Sequence, residues 1–151
     1  MTTVGIGGTR ITGSHGITME ADIADVAFDD KAPEAIILPG GMPGTQHLDA
    51  APVVETAIRH ALASHAGLCA ICAAPSSLGK RGLLAGHRAT CFPGFEKELL
   101  GAVSVGGKVI RDGRFITAAG MGVAMEFGLE IISVLKSPEA AGAIRAAIQA
   151  P

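Results

Sequence analysis

A chain of 151 residues can bury one compact core but is too short for two ordinary domains, so residues 1–151 are read as a single domain. Its 12 basic residues against 14 acidic ones, net −2, exclude the basic footprint of a protein that binds nucleic acid or an anionic membrane. No apolar run approaches the roughly 18 residues of a membrane span and no basic-then-apolar leader opens the chain, so a cytoplasmic location is expected.

Three cysteines, an odd number, suit a reducing compartment better than a disulfide framework, and without HExxH no metal site is expected. Trp and Tyr are absent and there are 5 Phe, which leaves little for a stacking platform under bases or a flat cofactor. The 21 glycines fit many tight turns between short buried elements, as an α/β sandwich requires.

In chain order, Thr3 to Ile6 and His15 to Met19 are short, partly β-branched and bounded by glycine-rich turns, so both read as strands. The run Glu34-Ala35-Ile36-Ile37-Leu38 lacks alternation and predicts a strand buried on both faces, ending in Gly40-Gly41. From Pro52 onward, Val53, Val54, Ala57, Ile58, Ala61 and Leu62 recur at helical spacing, with proline at a first-turn position where its missing N–H is harmless. Leu68 to Cys72 predicts a further strand, and Pro75 to Leu84 a further helix. This strand, helix, strand, helix order is the mark of right-handed crossovers onto a parallel sheet. His87 to Cys91 reads as a strand, and Lys108 to Ile110 and Arg114 to Thr117 as a pair joined through Asp112-Gly113. Val123 to Leu135 is helical, and Ser137-Pro138-Glu139 opens a last helix with a capping serine and a first-turn proline.

Two motifs carry chemistry: Leu38-Pro39-Gly40-Gly41 and Ala70-Ile71-Cys72-Ala73-Ala74-Pro75, each at the carboxyl end of an expected buried strand, the edge at which open α/β sheets bind ligands. A nucleophile on a sharp strand-to-helix turn needs small neighbours, which Ala70, Ala73 and Ala74 supply. The amides and dipole of the helix that follows would favour a Cys72 thiolate and make this thiol acidic and oxidisable. The backbone N–H groups of Gly41 and Ala73 are then the candidate oxyanion donors. Most lone cysteines are only small buried hydrophobes, the expectation for Cys69 and Cys91. The glycine pair and the flanking alanines set Cys72 apart.

With LPGG followed by AICAAP, the chain resembles the ThiJ/PfpI superfamily, in the branch of the Parkinson-disease protein DJ-one and bacterial YajL. The likeness runs through Gly13-Ser14-His15-Gly16 and Thr90-Cys91-Phe92-Pro93 to Met125-Glu126-Phe127-Gly128-Leu129. It implies a flavodoxin-like (Rossmann-like) three-layer α/β sandwich with a mostly parallel sheet, of the class I glutamine amidotransferase type. It also implies a homodimer and a nucleophilic cysteine that oxidises readily. Relatives of this kind begin with a strand and a helix ahead of the point that matches Thr3, and that helix bears a glutamate that shuttles protons for the cysteine. No carboxylate here takes its place by motif: Glu20 matches an exposed strand position and Glu126 lies within a late helix. The chain is thus expected to be N-terminally truncated relative to the family, with two inner strand edges left unpaired.

The resemblance implies a glyoxalase- or deglycase-like enzyme that acts without a cofactor on a small reactive dicarbonyl or glycated substrate through the Cys72 thiolate. The alternative is a redox-sensing or chaperone-like stress protein without turnover. A cysteine peptidase or amidotransferase ranks last, since Ala73 rather than histidine follows the cysteine and no HxE pair is present. Gly40, His15, Phe92, where some relatives carry histidine, and Gly120, whose counterpart forms a pocket wall, complete the expected substrate pocket. His47, His60, His65 and His87 are expected in loops or on helix surfaces.

Overall fold

The computed structural model describes residues 1–29 and 33–151. Its elements are β1 (Val4–Gly5), β2 (Arg10–Thr12), β3 (Thr18–Glu20), β4 (Ile23–Ala24), β5 (Ala35–Leu38), α1 (Gly44–Ala50), α2 (Pro52–Ser64), β6 (Gly67–Ile71) and α3 (Pro75–Lys80). They continue with β7 (Arg88–Ala89), β8 (Val103–Ser104), β9 (Val109–Asp112), β10 (Phe115–Ala118), α4 (Ala124–Leu135) and α5 (Pro138–Ala147).

The central sheet has the order β5-β6-β10-β9. Strand β6 runs parallel to β5 and to β10, while β9 returns antiparallel at the edge. Alternation along β6 divides the core in two. Leu68 and Ala70 face Leu38, Val54, Ile58, Ala61 and Leu78, so α2 and α3 cover that side. Cys69 faces Ile116, Ala118, Phe127 and Ile131, so α4 covers the other, with α5 packed on α4. The result is a three-layer sandwich whose central strand is buried on both faces.

Helix α2 buries Val54, Ala57, Ile58 and Ala61 and stops at His65, which takes the left-handed conformation (φ 60°). Arg114 meets the end of this helix, donating from Nη1 to the Ala61 and Leu62 carbonyls at 3.3 and 3.2 Å. Ser137 caps α5 as expected, its Oγ accepting from the Ala140 N–H at 3.2 Å.

Several local readings need correction. Strand β5 is not buried on both faces: Ile36 packs against the core, but Ile37, on the opposite face, is 41% exposed because β5 is an edge strand. His15 lies not in a strand but in the turn of the exposed β2–β3 hairpin, where Gly13 N–H donates to the Ile17 carbonyl. Helix α3 ends at Lys80 rather than Leu84, and Gly82 (φ 70°) turns the chain away. His87 lies outside the helices and is part exposed, with its ring 4.8 Å from that of Phe115 and its Nδ1 3.5 Å from Asp112. Strand β7 falls within the expected strand from His87 to Cys91, while helix α1 and strands β2, β4 and β8 are additional to the sequence reading.

Strands β1 and β4 form a parallel pair of their own, separate from the central sheet. Among the described residues β1 and β5 are each paired on one side only.

Candidate functional site

Strand β6 ends at Ile71, and Cys72 follows in the left-handed region, at φ 65°. Any residue with a Cβ is disfavoured there by about 1 kcal/mol or more, and strain of this kind is held only where neighbouring bonds over-determine it. They do so here. The Cys72 N–H donates to the Ala118 carbonyl of β10 at 2.9 Å, and its own carbonyl accepts from the Phe92 N–H at 2.8 Å. Ala74 N–H closes the turn onto the Ile71 carbonyl at 3.1 Å, and Pro75 then opens α3. Cys72 itself is half-buried, whereas Ala73 and Ala74 are buried.

The Gly40-Gly41 loop leaves β5 beside this turn. A Cβ on Gly40 would lie 2.4 Å from the Ile71 carbonyl oxygen, 2.5 Å from Cys72 Cβ and 3.1 Å from Ala73 N, so the backbones touch there without room for a side chain. Gly41 has φ 90°, a conformation natural to glycine. Its carbonyl accepts from the N–H and the Oγ1 of Thr45 at 2.9 and 3.0 Å, which orients the loop. Among the described residues, the N–H groups of Gly41 and Ala73 donate to no backbone acceptor outside the regular elements. Backbone amides beside a sulfur are the kind of donor that can receive the negative charge developing on a carbonyl oxygen under attack.

Phe92 is 46% exposed, and its ring stands over Gly120, where a Cβ would lie 3.3 Å from Cδ2. The structure therefore brings Gly40, Gly41, Cys72, Ala73, Phe92 and Gly120 into one run of contacts. His15 is held differently, its Nδ1 at 3.1 Å from Ser14 Oγ in the exposed hairpin turn. Cavities of about 440 and 370 Å³ lie elsewhere, one between β9, α4 and α5 and one beside Cys69 and Arg114, and neither is lined by Cys72.

The other thiols are shielded. Burial pushes Cys69 up to about 12. Burial, with the charges of Glu96 and Glu98 adding to it, pushes Cys91 to about 11. Among the described residues no group of three or more His, Cys, Asp or Glu could hold a metal ion, and no helix is long and apolar enough to cross a membrane.

Sequence reasoning missed a polar cluster behind the turn. Asp49 of α1 accepts from Ser77 Oγ and, at 2.9 Å, from Arg81 Nη1, while Arg81 Nε donates to Glu55 of α2 at 3.0 Å. Burial works to raise the Asp49 pKa, but the bonds from Ser77 and Arg81 and the charges of Arg81 and Lys80 outweigh it and hold the carboxyl below its ordinary value. Residues 77 and 81 stand at helical spacing, but nothing in the sequence links them to residue 49, so no local signal could have found the cluster.

A three-layer sandwich with a cysteine in a left-handed turn at the carboxyl edge of a mostly parallel sheet defines the class, a flavodoxin-like α/β protein with a candidate nucleophile at its strand-to-helix corner. The model of the DJ-1/PfpI family matches residues 1–134, and the chain belongs to that family.

The chain is 33% identical over 137 residues to the protein dj-1beta of Drosophila melanogaster, covering 88% of this chain and 72% of that protein. It is 36% identical over 129 residues to the DJ-1 homolog B of Arabidopsis thaliana, covering 84% of this chain and 30% of that protein. It thus spans about a third of the length of the Arabidopsis relatives. Similar proteins also include a glutathione-independent glyoxalase of Caenorhabditis elegans, 34% identical over 78% of this chain and 64% of that protein, and a deglycase of Pyrococcus abyssi, 28% identical over 83% and 76%. The crystal structure of a DJ-1 superfamily protein from Salmonella typhimurium superposes with a TM-score of 0.92 at 27% identity, covering 99% of this chain and 83% of that one.

Proposed function

We propose that this protein acts on small reactive dicarbonyls, with Cys72 as the nucleophile and the amides of Gly41 and Ala73 as oxyanion donors. The observation that carries the reading is the left-handed Cys72 turn, packed backbone to backbone against Gly40. Relatives named as a glyoxalase and a deglycase support the substrate class.

The sulfur adds to the aldehyde carbon of a substrate such as methylglyoxal, forming a C–S bond while the carbonyl π electrons move to oxygen. The developing oxyanion takes hydrogen bonds from the two amides. A base then moves the proton from the former aldehyde carbon to its neighbour, leaving a thioester, and water releases the 2-hydroxy acid and restores the thiol. Methylglyoxal plus water thus becomes lactate, with no external oxidant or reductant.

The test is methylglyoxal consumption and lactate formation by the purified protein against Cys72→Ser. Loss of lactate formation in the variant, with the fold retained, supports the reading. Equal rates in the two proteins, or no consumption by either, would overturn it.

A further inference from the structure

We propose that Asp49 is a positioning residue for this site: it ties the helix that anchors the Gly41 loop to the helix that carries the Cys72 turn, and so sets the spacing between the two oxyanion amides. The inference rests on the reading of Cys72 as a nucleophile that adds to carbonyls.

The connection can be followed bond by bond. Gly41 is fastened to the start of α1 through the two bonds from Thr45, which is buried. Asp49 stands one turn further along α1, four residues from Thr45 and therefore on the same face. From there its carboxylate reaches Ser77 on α3, five residues past Cys72. The neighbouring Ser76 Oγ donates to the Ala73 carbonyl at 2.7 Å, so the first turn of α3 is itself fastened to the residue after the cysteine. Arg81 completes the clamp, with Nη1 at 2.9 Å from Asp49 Oδ1, from the Ser77 carbonyl and from Ser77 Oγ.

This cluster is poorly explained as packing alone. Ser77 is 1% exposed, and its one donor is spent on Asp49. A partly buried carboxylate with a buried hydroxyl on it offers little net stability over apolar residues of the same volume, but it fixes the relative setting of the two helices by direction as well as distance. Each of the two amides lies in the turn just ahead of one of these helices. Misplacement by about 1 Å is enough to lower a rate ~100-fold.

The experiment compares Asp49→Ala and Asp49→Asn with the wild-type full chain in three readouts. These are kcat and KM for methylglyoxal, the rate of Cys72 alkylation by iodoacetamide, which needs the sulfur but no oxyanion donors, and the amide resonances of Gly41 and Ala73. Asp49→Ala is expected to lower kcat about 10- to 100-fold, to leave KM and alkylation within about twofold, and to shift both amides. Asp49→Asn keeps an acceptor for Ser77 and is expected to recover most of the loss. A fall of kcat in step with alkylation and melting temperature would mark a merely structural role and overturn the proposal, as would unmoved amides. Should Asp49→Ala fail to fold, Ser77→Ala removes one bond of the clamp and is read in the same way. If the wild type does not turn over methylglyoxal, the enzyme reading fails, and the clamp is decided by the amide shifts alone.

Discussion

Adding one methyl group at Gly40 is the sharpest perturbation of this site that leaves every functional group in place. In Gly40→Ala the new Cβ would stand 2.4 Å from a backbone oxygen of Ile71 and 2.5 Å from Cys72 Cβ. Comfortable contacts between such atoms are about 3.5 Å, so the β5 loop and the Cys72 turn must part by roughly 1 Å. Neither neighbour is a flexible side-chain tip, and overpacking of this kind costs about 1–3 kcal/mol. For a domain of this size that lowers the melting temperature by roughly 2–12 °C. The same displacement separates Gly41 N–H from Ala73 N–H and should reduce dicarbonyl turnover about 100-fold, well beyond what the lost stability explains. Gly5→Ala supplies the control, because its Cβ would meet the Gly8 carbonyl oxygen at 2.1 Å in the separate β1–β4 pair. Lactate formation and thermal melts would be measured on both variants, with turnover assayed well below either midpoint. The reasoning is refuted if Gly40→Ala melts like the wild type, or if its turnover falls no further than that of Gly5→Ala.

The three thiols should react in a set order. At pH 7.5 iodoacetamide is expected to label Cys72 at least tenfold faster than Cys91 or Cys69, because thiols held near 11 and 12 are ionised in fewer than about one molecule in a thousand at that pH. Peptide mass mapping of the native protein reads the order, and comparable labelling of Cys91 would contradict it. Thr117→Val replaces a buried hydroxyl whose Oγ1 accepts from the Thr90 N–H at 3.0 Å, stranding that amide in the core. The expected loss is about 1–3 kcal/mol in urea unfolding, and a variant within 0.5 kcal/mol of wild type, about the scatter of surface substitutions, would show that the amide finds another partner.

Much of the secondary structure was legible because its causes are local. Pro52 with its helical repeat of apolar residues gave α2, Ser137-Pro138 gave the start of α5, and Asp112-Gly113 gave the β9–β10 return. The errors fall where a distant partner decides. Ile37 belongs to an apolar run that reads as doubly buried, yet its exposure depends on which strand, if any, lies beside β5. The tilted contact of His87 with the Phe115 ring has no local sign either. Helix α1 is only seven residues long and too short to show a repeat.

The candidate site divides along the same line. By itself the sequence determined which residues could serve, since only glycine fits so close to another backbone and only small residues tolerate the corner around Cys72. The family likeness was legible in the same motifs. The tertiary structure alone decided how these residues meet: the contact of Gly40 with the Cys72 turn, the left-handed setting of Cys72 between β10 and Phe92, and the clamp of Asp49 on Ser77 and Arg81. Propensity and periodicity act over a few neighbouring residues, whereas these contacts join segments tens of residues apart, and their geometry exists only once the parallel sheet has brought the ends of β5 and β6 side by side.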